Sequence, residues 1–455
     1  MTGVQTCALP IYDLIIGAEA AELSTSKAIK IGRNIMSPYL REYQLVAATT
    51  RVNLNAISGA LTWTAQQIPG ASGLPEEVIM AKIPYTDFVT KQENAWNFAD
   101  GLEQRYGVED VGTREKELFN KLNSIGKNER VLLTQAYDEM MGHQYANTQQ
   151  RVYTTGSILN TEFDYLRNEW RTASKDSNKI KTFGNKGEYK TDTAGVIDYK
   201  YNAYGVAYVH ENEDIKLGKG IGWYGGIIHN KLKFKDLGNS KEEQLQAKVG
   251  LFKSVPFDDN NSLNWTISGD VFVGYNTMHR KFLVVDEVFH AKAKYYTYGV
   301  GVRNEIGKDF RLSEGFSLRP YASLALEYGR VSKIREKSGE IKLEVKNTDY
   351  VSIKPELGVQ LGFKHFFRRR LFTTTLGVAY ENELGRIANA KNKGRVADTT
   401  ADWFNIRGDK EDRKGNVKTD LTFGLDNTRV GVTANVGYDT KGENLRGGVG
   451  LRVNY

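Results

Sequence analysis

The chain has 455 residues with 45 glycines, 25 tyrosines and eight prolines, and its net charge is +7. It has no stretch of 18 uninterrupted apolar residues, which excludes a transmembrane helix. The 62 Lys/Arg residues are interspersed with 55 Asp/Glu, which argues against a nucleic-acid-binding protein. Because Cys7 is the only cysteine, an intrachain disulfide and a cysteine-based zinc cluster are also excluded.

Two stretches in the first half of the chain show a helical period of about 3.6 residues. They lie at 127–150 and 157–172, with Gly156 between them as a predicted helix break. The second stretch leads into a region of different periodicity, and we predict a helical segment over residues 87–175.

From about residue 178 to the end, several segments have apolar residues at every second position, and those near 196–210 and 220–235 alternate less cleanly. The alternation is clearest in 263–275, 351–367, 417–425 and 430–438, and it predicts strands with one lipid-facing side and one polar side. The predicted strands lie at 179–190, 195–211, 220–235, 244–256, 262–281, 288–308, 316–335, 350–366, 370–385, 416–426, 429–439 and 445–455. Twelve is an even number, as single-chain bacterial barrels require. The predicted fold is therefore mainly β, with a 12-stranded antiparallel transmembrane barrel over residues 176–455.

The connections between these strands support a membrane barrel. If the C-terminus is periplasmic, the connections on the periplasmic side are all short, and the long links at 336–349 and 386–415 fall outside. Outer-membrane barrels have this arrangement. A globular β-sandwich has no reason to sort its loops, and its strands are usually about five or six residues long.

The last segment (LRGGVGLRVNY) alternates in the same way and ends on an aromatic residue. Outer-membrane barrels end with such a strand, which the barrel-assembly machinery recognises. Gly450, Leu451, Val453 and Tyr455 are our candidate assembly signal.

The size of the predicted barrel indicates what fills it. Twelve strands leave room for about one helix, roughly 10–12 Å across. We expect a pore helix at about 157–175, and a periplasmic or surface helical pair is the alternative. The pore helix offers Glu162, Tyr165, Arg167, Glu169 and Trp170. The candidate lumen-facing partners on the strands are Asp270, Lys354, Glu356, Lys418, Asp420 and Arg452.

Catalytic and metal-binding chemistry has little support. The six histidines lie on different segments without a spacing such as HExxH. His279 with Asp286, or His229 with Ser240, can be paired on paper, as can many residues in a barrel of this size. We predict no enzyme activity, no metal and no cofactor. Residues 407–409 spell Arg-Gly-Asp, and in a charged loop this indicates a solvated segment rather than an integrin ligand.

Several segments carry a family resemblance that covers residue 85 to the end of the chain. They are FADGLEQRYGVED (98–110), MMGHQYANTQQR (140–151), FDYLRNEW (163–170), KTDTAGVIDYKYNAYGVAYVHE (190–211), LQAKVGLFKSVPFD (245–258), NWTISGDVFVG (264–274), FRLSEGFSLRPYASL (310–324), GVAYENELGR (377–386) and GYDTKGENLRGGVGLRV (437–453). With a helix leading into a 12-stranded barrel, they resemble the translocator domain of large adhesin-like autotransporters (type V secretion). The resemblance implies an outer-membrane protein that carries a fused N-terminal passenger to the cell surface.

The resemblance also implies a division of the chain. Residues 13–86 would be the C-terminal remnant of the passenger or its stalk, and 87–175 a helical linker that includes the pore helix. Residues 1–12 lack the basic region and long apolar core of a signal peptide, and we interpret them as an artefactual or foreign N-terminus. Some autotransporters cleave the passenger at an asparagine in the pore. Asn147 and Asn168 are candidates by location, although we favour no cleavage.

The leading functional hypothesis is a translocator and anchor that displays a passenger, implied to be an adhesin. Its implied partners are outer-membrane lipid, the barrel-assembly machinery and its own passenger, with no nucleic acid and with a monomeric barrel. An outer-membrane solute channel plugged by the helix is the alternative, and an outer-membrane hydrolase is a third possibility.

Overall fold

The computed structural model describes residues 11–38, 41, 53–71, 75–91, 93–169, 177–216, 219–260, 262–368, 370–389, 391–427 and 429–454. The elements before the barrel are β1 (Ile11–Ile16), β2 (Ala28–Ile31), β3 (Asn53–Ser58), β4 (Trp63–Pro69), β5 (Pro75–Lys82), α1 (Ala95–Arg105), α2 (Arg114–Asn123), α3 (Arg130–Met140) and α4 (Thr148–Glu169). No helix in the described ranges is long and apolar enough to span a membrane.

Twelve long antiparallel strands close into a barrel. They are β6 (Ser177–Tyr189), β7 (Tyr199–Glu211), β8 (Gly222–Phe234), β9 (Lys241–Pro256), β10 (Leu263–Val284), β11 (Glu287–Lys308), β13 (Phe316–Val331), β16 (Thr348–Phe367), β17 (Arg370–Glu381), β20 (Asn416–Asp426), β21 (Val430–Asp439) and β22 (Asn444–Asn454). The last strand pairs with the first, with Asn454 opposite Ser177. The predicted mainly β fold, a 12-stranded barrel preceded by a helix, is confirmed.

The two ends of the barrel differ. We call the end that holds Ser177 and Asn454 the terminal end and the opposite end the loop end. A short helix, α5 (Glu213–Lys216), and the two-residue strand β12 (Phe310–Arg311) belong to connections at the terminal end. The hairpin of β10 and β11, whose strands have 22 residues each, extends furthest towards the loop end.

The outer surface of the barrel is apolar because the alternating residues face outward. On the last two strands, Val432, Val436, Val449 and Leu451 are between 43% and 57% exposed. Outward tyrosines and phenylalanines lie nearer the two ends, for example Tyr296 and Phe372. Such a band with aromatic borders is typical of a transmembrane barrel.

The two long links at the loop end are not simple loops. They contain β14 (Ile334–Gly339), β15 (Leu343–Val345), β18 (Lys391–Val396) and β19 (Phe404–Arg407). These short strands pair in the order β14, β15, β18, β19, and β14 also pairs with β11. Pairing with each other satisfies their backbone hydrogen bonds, so the two links form one sheet, which we call the arm.

Residues 53–141 form a small folded unit at the loop end, which we call the cap. Its core combines the β4–β5 hairpin with α1, α2 and α3. The fully buried Tyr85 lies among Tyr106, Phe119 and Tyr137, with ring centroids 6.1–6.4 Å away. A hydroxyl caps α2, since the Thr113 side chain accepts a hydrogen bond from the Lys116 backbone amide at 3.3 Å.

The helices depart from the prediction in two ways. The predicted helix over 127–150 is two separate helices, because α3 ends at Met140 and Gly142 adopts φ = +74°, a left-handed conformation that reverses the chain. The helix predicted to begin near residue 157 begins at Thr148 and runs without a break through Gly156. A Cβ atom at residue 156 would lie 2.8 Å from the Gln246 amide nitrogen, so the glycine allows the helix to approach the barrel wall.

Candidate functional site: the barrel lumen

Helix α4 runs through the barrel from the loop end to the terminal end. Near its last turn, the carbonyl oxygen of Leu166 accepts a hydrogen bond from Lys179 Nζ at 2.8 Å, and Lys179 lies two residues from the start of β6. Near its first turn, Arg151 lies against strands at the loop end. The lumen is therefore occupied by a helix that connects the two ends.

Arg151 fixes the first turn of the helix. Its Nε donates a 2.6 Å hydrogen bond to Glu242 on β9, and both side chains are buried. The guanidinium also lies 5.0 Å from the ring centre of Phe234, and the Glu242 carboxylate accepts a hydrogen bond from Tyr295. Since both charged groups are buried and hydrogen-bonded, this ion pair holds the helix in one orientation.

Further ion pairs and polar contacts continue along the helix. Glu162 lies 2.6 Å from Lys181 Nζ on β6, and both side chains are buried. Asn160 Oδ1 accepts a 2.8 Å hydrogen bond from Lys248, which also pairs with Glu327 at 2.9 Å.

The apolar side of the helix packs against the same part of the wall. Leu159 and Phe163 lie over Gly226, where a Cβ atom would approach Leu159 Cδ1 to 2.9 Å. The Phe163 ring is 4.7 Å from that of Tyr224. Helix α4 therefore lies against the β6–β9 wall and is displaced from the barrel axis.

The predicted lumen-facing residues of the strands contact both the helix and other parts of the wall, and Lys418 and Glu356 pair with each other. Lys418 lies 2.6 Å from Glu356 and 3.0 Å from Glu381. Asp270 is 3.4 Å from Lys248. Lys354 Nζ donates a 2.9 Å hydrogen bond to Ser157 of the helix.

The remaining predicted side chains also lie in the lumen. Arg452 pairs with Asp426 at 2.5 Å, and Asp420 accepts a 2.7 Å hydrogen bond from Arg446. Arg446 donates a second hydrogen bond, 3.0 Å long, to the Tyr165 hydroxyl of the helix. Tyr165 is therefore held through Arg446, which the prediction did not include.

Arg167 makes a different contact from the expected one. It pairs with Asp164 on its own helix, and its guanidinium lies 5.1 Å from the Tyr224 ring centre. It was expected to meet an acidic residue of the wall. Trp170 and the Glu169 side chain lie outside the described residues.

Some space between α4 and the far wall is unfilled. One cavity of ≈ 100 Å³ is lined by Asp164, Arg303, Glu356 and Asp420, among others. Another of ≈ 190 Å³ lies nearer the loop end and is lined by Tyr153, Glu381 and Arg446, among others. The helix therefore fills the lumen without filling all of it.

The arrangement of a threaded helix in a 12-stranded barrel agrees with a sequence comparison. Residues 179–437 match the family described as Autotransporter beta-domain. The chain belongs to this family. Autotransporter β-domains are outer-membrane translocators of a passenger. No curated protein matched the sequence.

Three of the solved structures that resemble this one are autotransporter domains. The translocator domain of NalP from Neisseria meningitidis has a TM-score of 0.49 at 12% identity, over 68% of this chain and 99% of that chain. The β domain of the Bordetella autotransporter Brka has a TM-score of 0.43 at 13% identity, over 62% and 100%. The transport unit of AIDA-I from Escherichia coli has a TM-score of 0.40 at 12% identity, over 62% and 92%.

In this autotransporter β-domain, the cap and arm close over the loop end. Arg280 is fully buried and makes two hydrogen bonds to Glu336 on β14, 2.7 and 2.8 Å long. It also donates to the backbone oxygens of Met140 in α3 and Ile341 at 3.2 and 2.9 Å. One guanidinium thus joins the barrel wall, the arm and the cap.

The cap is also tied to the tip of the β10–β11 hairpin by charges. Arg114 lies 2.5 Å from Glu287, and Lys121 lies 2.8 Å from Asp286. Pairing with Lys121 is the main cause of the lowered pKa of Asp286. Asp286 therefore pairs with Lys121 of the cap and not with His279.

The Arg-Gly-Asp segment is bound within the molecule. Arg407 forms an ion pair with Asp138 of α3. Asp409 accepts hydrogen bonds from the Thr193 hydroxyl at 2.6 Å and from the Tyr189 hydroxyl at 2.5 Å. These hydrogen bonds lower the pKa of Asp409 although burial opposes them.

The residues considered in the sequence for catalysis, metal binding or passenger cleavage do not come together in one site. Ser240 hydrogen-bonds Asp236, at 2.5 Å, and not His229. The described residues contain no group of three or more His, Cys, Asp or Glu that could hold a metal ion. Asn147 has φ = +55°, and its side chain accepts a 2.9 Å hydrogen bond from the Asp409 backbone amide, whereas Asn168 lines a lumen cavity.

The candidate assembly signal lies on β22. Leu451 is 43% exposed on the outer surface, and Val453 pairs in register with Val430 and Asn178. Gly450 faces the Thr433 hydroxyl, which a Cβ atom would approach to 2.6 Å. Tyr455 lies outside the described residues.

Proposed function

We propose that this chain is the translocator and membrane anchor of an autotransporter, which exports its N-terminal part and holds it on the cell surface. The observation that carries the proposal is the path of α4 through the lumen. The helix leads from the first barrel strand at the terminal end to the cap at the loop end. If the terminal end faces the periplasm, residues before α4 are already outside.

Labelling of single cysteines tests this orientation. In a Cys7→Ser background, Asn128→Cys places a thiol on the exposed surface of the cap, and Glu314→Cys places one in an exposed turn at the terminal end. A membrane-impermeant maleimide should label Asn128→Cys on intact cells, and Glu314→Cys only after lysis. Labelling of Glu314→Cys alone on intact cells would refute the proposed export.

The cavities beside α4 support a second candidate, an outer-membrane solute channel plugged by the helix. Deleting residues 127–172 separates the two functions. A channel would gain conductance and still display a tag fused to its N-terminus. A translocator would lose display of that tag, because the helix that spans the lumen between the barrel and the cap is gone.

The finer features of the proposal come from the resemblance and from the barrel surface. We propose an adhesin as the passenger and no enzymatic role for the barrel. Outer-membrane lipid is the proposed partner of the apolar belt, and the assembly machinery is the proposed partner of β22. A monomer is proposed because, among the described residues, each long barrel strand pairs with a neighbour on both sides, which leaves the barrel without an edge strand for another copy.

A further inference from the structure

A row of basic side chains crosses the outside of five neighbouring barrel strands near the loop end. Lys200, Lys233, Lys241, His279 and Lys292 lie on β7, β8, β9, β10 and β11, and each is directly opposite the next in the strand register. We call these five residues the basic row. Because neighbouring strands are about 4.8 Å apart, it spans roughly 19 Å.

A second row fixes the depth of the first. Tyr204, His229, Leu245, Tyr275 and Tyr296 are also opposite one another, on the same five strands. They face outward and border the apolar belt, and aromatic residues at such positions mark the membrane–water interface. On every strand the basic residue is four positions closer to the loop end, about 13 Å along the strand.

Few carboxylates of the protein lie close enough to neutralise the charges of the basic row. In the described part of the chain, Lys233, Lys241 and Lys292 have no carboxylate oxygen within 4 Å, whereas the lumen lysines are paired. Glu243 lies between the two rows, and its carboxylate is 3.7 Å from His229 Nε2. Like charges directly opposite each other in a sheet are destabilising, so a row of this kind favours an external anion.

We propose that the basic row binds the phosphate groups of phosphorylated lipid headgroups in the membrane leaflet at the loop end. Ammonium groups spaced along a row of strands at headgroup depth match a layer of phosphates at the same depth. The row lies about 13 Å along the strands beyond the border of the lipid-facing belt, which is where lipid headgroups are expected. The proposal rests on the membrane placement proposed above.

Lipid binding to the full chain in detergent tests it independently of orientation in cells. The row variant is Lys233→Gln/Lys241→Gln/Lys292→Gln. The matched control is Lys308→Gln/Arg311→Gln/Arg429→Gln, which removes the same charge from exposed positions at the terminal end. Native mass spectrometry with bisphosphorylated lipid A should give an apparent Kd weakened roughly tenfold in the row variant, and one that is unchanged in the control.

Three further arms decide the outcome. A Lys→Arg variant at the same three positions should keep the affinity, which shows that the positive charge is what binds, and heat-modifiable migration on a gel should show that the glutamine variant is folded. Dephosphorylated lipid A should bind weakly and equally to all variants. Equal binding of bisphosphorylated lipid A by the row variant and the wild type would overturn the proposal. Row-dependent binding of inorganic pyrophosphate at the same affinity would overturn the assignment to lipid.

Discussion

Gly101 in α1 lies directly against Val396 in β18, and a Cβ atom at residue 101 would come within 2.7 Å of Val396 Cβ. Near it, the rings of Phe98 and Phe404 meet edge to face, with centroids 5.6 Å apart. The Asn97 side-chain amide donates a 3.0 Å hydrogen bond to the Trp403 carbonyl oxygen. The cap is thus bound to the arm by close packing as well as by charges.

We expect Gly101→Val to loosen the cap from the arm, because overpacking at such a contact costs about 1–3 kcal/mol. Hydrogen exchange of residues 391–407 should become faster, while the heat-modifiable migration of the barrel on a gel stays the same. Gly32→Val is the control, since nothing lies within 4 Å of a Cβ atom at residue 32. Unchanged exchange in Gly101→Val would contradict the docking contact.

Lys181→Met should destabilise the folded barrel because it leaves the buried Glu162 carboxylate without its partner. Removal of one member of a buried pair costs about 3–5 kcal/mol. The temperature at which the folded band is lost on a gel should fall, and the double variant Lys181→Met/Glu162→Leu should recover much of the loss. Lys186→Met, at an exposed position of the same strand, should have little effect. An equal loss in the single and double variants would show that the pair does not hold the helix.

The stability of the cap should rise with pH above 8. Burial lowers the pKa of Lys82 to about 8, although Glu103 accepts a hydrogen bond from it and opposes this shift. Since the unfolded chain keeps a pKa near 10.4, it binds more protons than the folded cap between these values. The free energy of unfolding therefore increases with pH in this window, by at most about 1.4 kcal/mol per pH unit.

Pulse proteolysis of the cap in urea at pH 7.5, 8.5 and 9.5 measures this dependence. Lys82→Met is the control, because it keeps the length of the side chain without the titrating group. The rise in urea midpoint should be smaller in the variant than in the wild type. The same slope in both proteins would mean that Lys82 is not responsible.

The Arg-Gly-Asp segment should not support cell adhesion, because its charged side chains are bound to Asp138, Tyr189 and Thr193. Cells that adhere to linear Arg-Gly-Asp peptides should not bind the immobilised chain better than its Asp409→Ala variant. Asp409→Ala should instead speed proteolysis of the segment, since its hydrogen bonds are lost. Adhesion that a soluble Arg-Gly-Asp peptide inhibits would contradict this interpretation.

The barrel strands could be predicted because the pattern that lipid and lumen impose is visible within each strand by itself. Lipid on one side and the lumen on the other require a period of two, and the strand from Thr348 to Phe367 shows it between Val351 and Lys364. The helix boundary could not be predicted, since Gly156 is a poor helix former by itself. Its place in α4 depends on Gln246, which is 90 residues further along the chain.

The partners in the lumen were only partly predictable for a related reason. Alternation shows that Lys354, Lys418 and Asp420 face inward, but not which part of the wall the helix touches. The contact depends on where the side chains of the wall are small enough to leave room for Leu159 and Phe163, and that position is Gly226. Inward-facing lysines on β6 were the available signal for the Glu162 partner, and Lys181 is one of them.

The closure of β22 on β6 around α4 has a mechanical consequence. The folded cap, of about 90 residues, has a radius of gyration near 12 Å, so it is wider than a lumen that admits one helix of about 10–12 Å. The segment that passes through the ring of strands therefore cannot slide out of it, because the folded cap at the loop end is wider than the ring. Even if every ion pair along the helix broke, the cap could not be drawn back without unfolding, or without separation of the strands that carry Ser177 and Asn454. Retention of the cap is in this sense topological and does not depend on the strength of the contacts inside the barrel.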